Sequence, residues 1–299
     1  MIYARILALP LLGAGALLAC STSSVRTGTG GSSGSSSSSG GGAAATGTGG
    51  ATGSGGTLAT GGAGGGLTID VDASTGDAAG ACAHLNIGIF GNPGADASSN
   101  FQQWLVAAGT SVQRIQTTTT EPVTAATLQP FDVVILDWLT RDYTGSEAAT
   151  FASWVTAGGG LVSLSGYDGV TADDWHANSL LAPLQVAYSG ALLNGPVTDF
   201  AVHPITAGLT SVTFNGGYAI TDLGGTASAR VPIAFLPASS GTVSVGDAIT
   251  MGAGHAFVWG DEWIEFDSEW STLPEIKQLW IQVFAWVSPT NKCGLTPPG

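Results

Sequence analysis

From residue 21 to about residue 66 nearly every position is Gly, Ser, Thr or Ala, and Arg26 is the only charged residue between Ser21 and Ile69. A chain of this composition cannot bury enough apolar surface to offset the entropy lost on ordering, so it is expected to stay a flexible coil. Its average reach is about 40 Å, from 5–6 Å times the square root of its length. Whatever packs must therefore do so beyond this tether. The sequence divides into residues 1–19, a linker at 20–80 and a folded domain at 81–299.

The first five residues carry one cation, Arg5, and residues 6–18 are apolar, interrupted by Pro10, Gly13 and Gly15. Such a run is too short for a good transmembrane helix and has the pattern of an export signal. It ends Leu17-Leu18-Ala19-Cys20, which resembles the lipobox of bacterial lipoproteins, Leu18 being bulkier than the usual spacer. The resemblance implies cleavage before Cys20 and a thioether-linked diacylglycerol on it. The domain would then be tethered to the cell membrane or outer membrane, in the periplasm or at the cell surface. An ordinary signal peptide or an uncleaved anchor is the alternative.

Lys and Arg number 7 against 21 Asp and Glu, a net charge of −14, which argues against nucleic acid and against electrostatic attachment to anionic lipid. The membrane partner is thus reached through the lipid, and a glycan or protein of the envelope is the further partner expected. Asp70, Asp72 and Asp77 form either a calcium loop or a solvated lead-in. With Cys20 set aside, Cys82 and Cys293 remain at the two ends of the folded region, and in an oxidising compartment they are expected to pair rather than stay free thiols. The chain-entropy account gives about 5 kcal/mol for so long a loop, as an upper figure.

The folded region alternates strand and helix. Residues 85–91 read as a strand, Ser98 or Ser99 as the cap of a helix burying Phe101, Trp104, Leu105 and Ala108, and Gly109 as its stop. Residues 111–116, the apolar run 131–138 and residues 160–166 read as further strands, with a helix over about 146–157 ending at Gly158. Thr171 and Asp174 suit a capping box for a short helix carrying Trp175. Strands are then expected at 197–202, 212–214, 218–220, 231–236 and 255–259. A last helix from Pro274 would bury Ile276, Leu279, Trp280, Val283, Phe284 and Val287. This order predicts an α/β, flavodoxin-like three-layer sandwich with a mostly parallel central sheet and its crevice at the carboxyl ends of the strands.

Three motifs then suggest a family. His203-Pro204-Ile205-Thr206-Ala207-Gly208, the glycine triplet Gly158-Gly159-Gly160 before Leu161-Val162, and the hairpin around Gly252-Ala253-Gly254 resemble class I glutamine amidotransferase-like domains. The resemblance is to the non-amidotransferase branch that includes trehalose-utilisation-type proteins, and it spans roughly residues 85–287. A working member would carry a cysteine on the turn after the strand at 161–164. Here that turn reads Ser163-Leu164-Ser165-Gly166-Tyr167-Asp168. Where the family's histidine follows the last strand stand Gly260, Asp261 and Glu262. Glutamine hydrolysis by that route lacks both nucleophile and base.

Asp261-Glu262-Trp263-Ile264-Glu265-Phe266-Asp267-Ser268-Glu269-Trp270 holds five carboxylates and two tryptophans on one turn expected to border the crevice. Packed carboxylates repel, which a hard cation relieves, and aromatic faces beside carboxylates suit sugars. The candidate calcium ligands are Asp261, Glu262, Glu265 and Asp267; with the cysteines spent and four histidines in the chain, zinc is not expected. Otherwise the run is a solvated turn whose tryptophans cover the core. Asp137-Trp138 and Tyr167-Asp168 close neighbouring strands and would face the same crevice, or simply cap turns. The candidate ligand surface is therefore Asp137, Trp138, Tyr167, Asp168, Asp261, Glu262, Trp263 and Glu265. No organic cofactor is expected. Residues 91–96 read as a turn rather than a phosphate loop, since Asp96 would repel phosphate and no Lys follows. Three functions compete: a non-catalytic binding or interaction module at the cell envelope, a carboxylate-dependent hydrolase of envelope or extracellular glycans, and a scaffold with no small ligand. A hydrolytic triad of Ser165, His203 or His255, and Asp168 is the weaker enzymatic option, because no Gly-x-Ser-x-Gly elbow surrounds Ser165.

Overall fold

The computed structural model describes residues 83–93, 98–117, 120–165, 175–272 and 274–295. The export signal, Cys20, the tether, Asp70, Asp72 and Asp77, Cys82, Tyr167, Asp168, Thr171 and Asp174 lie outside the described residues.

Apolar runs with little polar alternation make the central strands. β1 (Asn86–Phe90) leads to α1 (Ser99–Ala107) and β2 (Ser111–Ile115). A four-residue α2 (Ala125–Leu128) precedes β3 (Val133–Leu136). The helix α3 (Gly145–Thr156) then returns to β4 (Gly160–Ser163). Alternation along β3 sends Val133 and Ile135 to one face and Val134 and Leu136 to the other, all of them buried. The first face packs against Phe101, Trp104 and Leu105 of α1, and the second against Phe151 and Val155 of α3. Helices thus cover both faces, as a parallel sheet requires.

The remainder is richer in strand. After α4 (Asn178–Leu181) come β5 (Val186–Asn194), β6 (Asp199–Phe200), β7 (Asn215–Asp222), β8 (Ala229–Ala238), β9 (Gly241–Met251) and β10 (Gly254–Trp259). Two helices close the chain, α5 (Asp267–Trp270) and α6 (Pro274–Val287). The main sheet has the order β2-β1-β3-β4-β10-β9-β8-β6; β2 to β10 run parallel and the last three pair antiparallel, while β5 and β7 make a separate ribbon. With β10 counted as the fifth parallel strand this is the flavodoxin-like order, and the expected α/β three-layer sandwich stands. α6 buries all six side chains expected of it, on the same face as α1.

The glycine triplet has a steric basis. Gly158 takes a φ of +113° and ends α3; a Cβ on Gly159 would meet the Trp154 ring at 2.5 Å, and one on Gly160 would run into the Val287 carbonyl oxygen. The triplet lets α3 and α6 close onto the start of β4 from opposite faces.

Several strand expectations need correction. The strand expected at 197–202 shrinks to Asp199–Phe200, because Val197 forms only an isolated bridge to Val212 and a 3-10 turn starts at Pro204. Residues 212–214 form no strand. β5 and β9 were not anticipated. The β9 sequence is rich in Gly, Ser and Thr, and its pairing with β8 shifts register between Pro232 and Phe235, which interrupts the alternation that would reveal it.

α3 begins with a capping box in which Thr144 Oγ1 accepts the Glu147 N–H and Glu147 Oε2 accepts the Thr144 N–H. Glu147 is buried and also accepts the Val123 N–H at 2.8 Å and Arg141 Nη2 at 2.7 Å. The Arg141 hydrogen bond, with help from the backbone donors, holds its carboxyl down at about 2. Glu147→Ala is expected to cost about 3 kcal/mol, because Arg141 and two N–H groups lose their acceptor. In wild type this contribution is complete above about pH 4.5 and lost as pH falls toward 2; guanidinium melts of both proteins at pH 7 and pH 3 measure it, and a difference that does not shrink at pH 3 refutes the assignment.

Candidate functional site

The carboxyl ends of the parallel strands converge on one edge. Phe90, Leu136, Ser163 and Val258 are in register across β1, β3, β4 and β10, so Asp137 and the turn after Trp259 emerge at the same level. This is where α/β sheets of this order hold their ligands.

Asp137 is the first residue beyond β3 and is buried. Arg114 of β2 reaches across β1: its Nη1 donates to Asp137 Oδ2 at 2.6 Å and to the Gly91 carbonyl at 3.2 Å. Glu265 closes a 3-10 turn, Trp263–Glu265, and Glu262 precedes it. Asp137, Glu262 and Glu265 are all buried and bring one carboxylate oxygen each within 4.8 Å of one another. Asp137 Oδ1 and both oxygens of Glu265 have no hydrogen-bond donor among the described residues, nor do Nε and Nη2 of Arg114 have an acceptor. Burial pushes Asp137 up from its ordinary range, with Arg114 opposing. Burial pushes Glu265 up further, reinforced by the negative charges of Asp137 and Glu262.

The acidic turn is not a solvated surface. Five hydrogen bonds hold it. Asp261 Oδ2 accepts the Asn215 N–H of β7 at 2.7 Å, and its Oδ1 accepts the Trp263 N–H at 3.3 Å. Trp280 of α6 donates its indole N–H to the Ile264 carbonyl at 2.8 Å. Asp267 accepts from Ser99 Oγ and the Asn100 N–H, both at 2.8 Å, and so caps the first turn of α1. Ser98, at the N-cap position, makes no side-chain cap bond, contrary to expectation; the cap comes from across the fold. Trp270 packs edge-on against Phe101 and Trp104, which makes it core.

The expected residues are brought together only in part. Of Asp261, Glu262, Glu265 and Asp267, only Glu262 and Glu265 share one cluster; Asp261 and Asp267 point at backbone donors elsewhere. Asp137 joins Glu262 and Glu265 in that cluster. Trp138 is half-buried and its carbonyl accepts the Asn92 N–H at 2.8 Å; Trp263 is half-buried against Phe266. Tyr167 and Asp168 lie outside the described residues. Arg114 was missed. The available signal was a rare cation in a strand of the parallel sheet, where a buried charge needs a partner.

His255 does not come beside Ser165, and Asp168 lies outside the described residues. His255 lies opposite Gly160 at the beginning of β4, whereas Ser165 lies beyond its far end. His203 caps a 3-10 turn by accepting the Ile205 N–H, and both histidine rings pack on Trp286, at 4.6 and 4.4 Å. Its turn role in the His-Pro motif is as expected.

No family model matches the chain, and no curated protein matches it. Solved structures do. The amino-terminal domain of mmIFT52 is 14% identical, with 68% of this chain and 96% of that chain covered, at a TM-score of 0.54. A cytoplasmic protein from Salmonella typhimurium LT2 is 14% identical over 68% of this chain and 100% of its own, at 0.50. A ThuA-like protein from Bacteroides uniformis ATCC 8492 is 16% identical over 71% and 95%, at 0.45. At these identities the likeness is one of fold, and the class it defines is the α/β sandwich with a mostly parallel sheet.

Burial raises Asp261 from 3.8 to about 8 against the pull of its backbone donors. The folded state then holds this proton more tightly than the unfolded chain, so stability from this group is full below about pH 4 and is lost as pH rises through about 8. Thermal melts from pH 4 to pH 8.5 should show falling stability, with a shallower slope in Asp261→Asn. An unchanged slope in the variant would remove Asp261 from the cause.

Proposed function

We propose that the folded region is a non-catalytic binding or interaction module on an amidotransferase-like scaffold, carried at the cell envelope by a lipid on Cys20. Its ligand surface is the carboxyl-edge rim formed by Asp137, Trp138, Glu262, Trp263 and Glu265. The observation that carries this reading is the buried carboxylate cluster at that edge, where Asp137 Oδ1 and the Glu265 oxygens have no partner among the described residues. Binding sites combine apolar walls with a few convergent polar groups, and two half-exposed tryptophans beside carboxylates meet that description. Ser165 in place of a cysteine, and Asp261 and Glu262 in place of a histidine, argue against retained amidotransferase chemistry.

The hydrolase reading draws on one observation: Asp137 and Glu265 adjoin, and Glu265 tends to keep a proton. A glycosidase pair must flank a sugar, with about 5–9.5 Å between the carboxyls. Side chains within 4.8 Å and buried together leave no such gap, which favours binding over hydrolysis.

The envelope assignment includes a Cys82–Cys293 disulfide. Ala83, next to Cys82, bridges to Lys292, and the Cys293 N–H donates to the Ala83 carbonyl at 3.1 Å, which supports the pairing.

Two measurements test the proposal. Envelope glycans and peptidoglycan fragments are screened against the full chain by thermal shift; a ligand at a hundredfold excess over its Kd stabilises by about 2.7 kcal/mol. A shift that is lost in Glu262→Gln supports the rim. No shift with any fragment refutes it, and release of new reducing ends installs the hydrolase instead. Fatty-acid labelling in cells is expected to vanish in Cys20→Ser, and label that persists there refutes the anchor.

A further inference from the structure

The cluster at the carboxyl edge has a charge problem that the described residues do not solve. Asp137, Glu262 and Glu265 bring three carboxylates within 4.8 Å of one another, and the guanidinium of Arg114 contacts Asp137 Oδ2. Fully ionised, the four side chains sum to −2. Asp137 Oδ1, Glu265 Oε1 and Glu265 Oε2 are buried and accept no hydrogen bond among the described residues. Glu265 is 0% exposed and its carboxylate is aimed into the cluster, not at solvent. Two other acids of the turn already have donors of their own: Asp261 from Asn215 and Trp263, and Asp267 from the first turn of α1.

We infer that Asp137, Glu262 and Glu265 form a binding site for one hard divalent cation, calcium or magnesium, with Asp137 Oδ1 and the Glu265 carboxylate as its principal ligands. A 2+ ion brings the charge of the cluster to zero with Arg114 in place. An all-oxygen donor set without histidine or thiolate selects the hard ions over zinc or copper. Oxygens on opposite sides of a calcium ion lie about 4.6–5.2 Å apart, and around magnesium about 4.0–4.2 Å, so three oxygens within 4.8 Å suit a single coordination sphere. The ligands are held firmly: Asp137 leaves the end of a central strand, and the Glu262–Glu265 turn is fixed by Trp280 at Ile264. Arg114 occupies the other oxygen of Asp137 and so orients Oδ1 toward the ion, as outer partners of metal ligands do. A shared proton between Asp137 and Glu265 is the competing way to relieve the same repulsion.

The inference rests on reading this rim as a binding surface and names its first ligand. Calcium chloride and magnesium chloride, each alone, are titrated into the EDTA-stripped full chain at pH 7.5, with melting temperature and calorimetric heat as readouts. One cation is expected to bind saturably and raise the melting temperature. Its affinity should fall at least tenfold in Glu265→Gln and in Asp137→Asn, and stay unchanged in Asp199→Asn, an exposed acid distant in the sheet. Cation-free Glu265→Gln should melt above cation-free wild type, since one of the crowded charges is gone. This last comparison also shows that the variant folds.

Absence of binding by both cations to wild type overturns the inference in favour of the shared proton. An unchanged affinity in both cluster variants overturns it equally, by placing the ion elsewhere. The glycan screen is run with and without the cation. Cation binding with no glycan or envelope ligand keeps the ion site and removes the wider binding reading; glycan binding without any cation effect does the reverse.

Discussion

The ion pair between Arg114 and Asp137 joins three strands at the edge where the molecule presents its chemistry. Arg114 starts on β2, crosses β1 by way of the Gly91 carbonyl, and ends on the first residue after β3. A buried carboxylate without such a partner would cost several kcal/mol, and with it Asp137 can stand in a dry position at the end of a parallel strand. The pair covers only one oxygen of one carboxylate. Glu262 and Glu265 come down onto the remainder from the turn after β10, so three buried carboxylates crowd beside one guanidinium.

That turn stays in place because the surrounding elements donate to it. β7 gives the Asn215 N–H to Asp261, α6 gives the Trp280 indole to Ile264, and α1 receives Asp267 as its cap. An acidic run that would be extended and hydrated by itself becomes a packed wall of the site. Trp270, wedged against Phe101 and Trp104, adds the apolar burial that keeps the turn folded onto the helix layer. The same residues that read as a patch of charge in sequence serve three separate duties: hydrogen bonding to a neighbouring ribbon, helix capping, and the cluster itself.

The scaffold is that of the flavodoxin-like α/β sandwiches, with strand order 2-1-3-4 and then β10, and a trailing antiparallel extension of β9, β8 and β6. Ser165 stands just beyond β4, and Asp261 and Glu262 follow β10. At this edge the side chains accept hydrogen bonds and hold charge: Asp261 accepts from Asn215, and Asp137 pairs with Arg114.

The sequence by itself determined the layer architecture. Apolar runs such as 131–138, the glycine stops at Gly109 and Gly158, and the helical spacing from Ile276 to Val287 are local patterns whose periods translate directly into buried strands and helix faces. It also determined where to look for a site, because carboxyl ends of parallel strands lie at one edge whatever their side chains. Tertiary structure alone decided which acids meet. Asp137 and Glu265 are 128 positions apart, and Arg114 a further 23 before Asp137, so no spacing rule connects them. Within the acidic turn, sequence proximity was misleading: Asp261 and Asp267 lie beside Glu262 and Glu265 in the chain, yet they turn toward backbone N–H groups of β7 and α1. The direction of each carboxylate is set by which buried donor it can reach once the layers have packed, and that information is not carried by its neighbours in sequence.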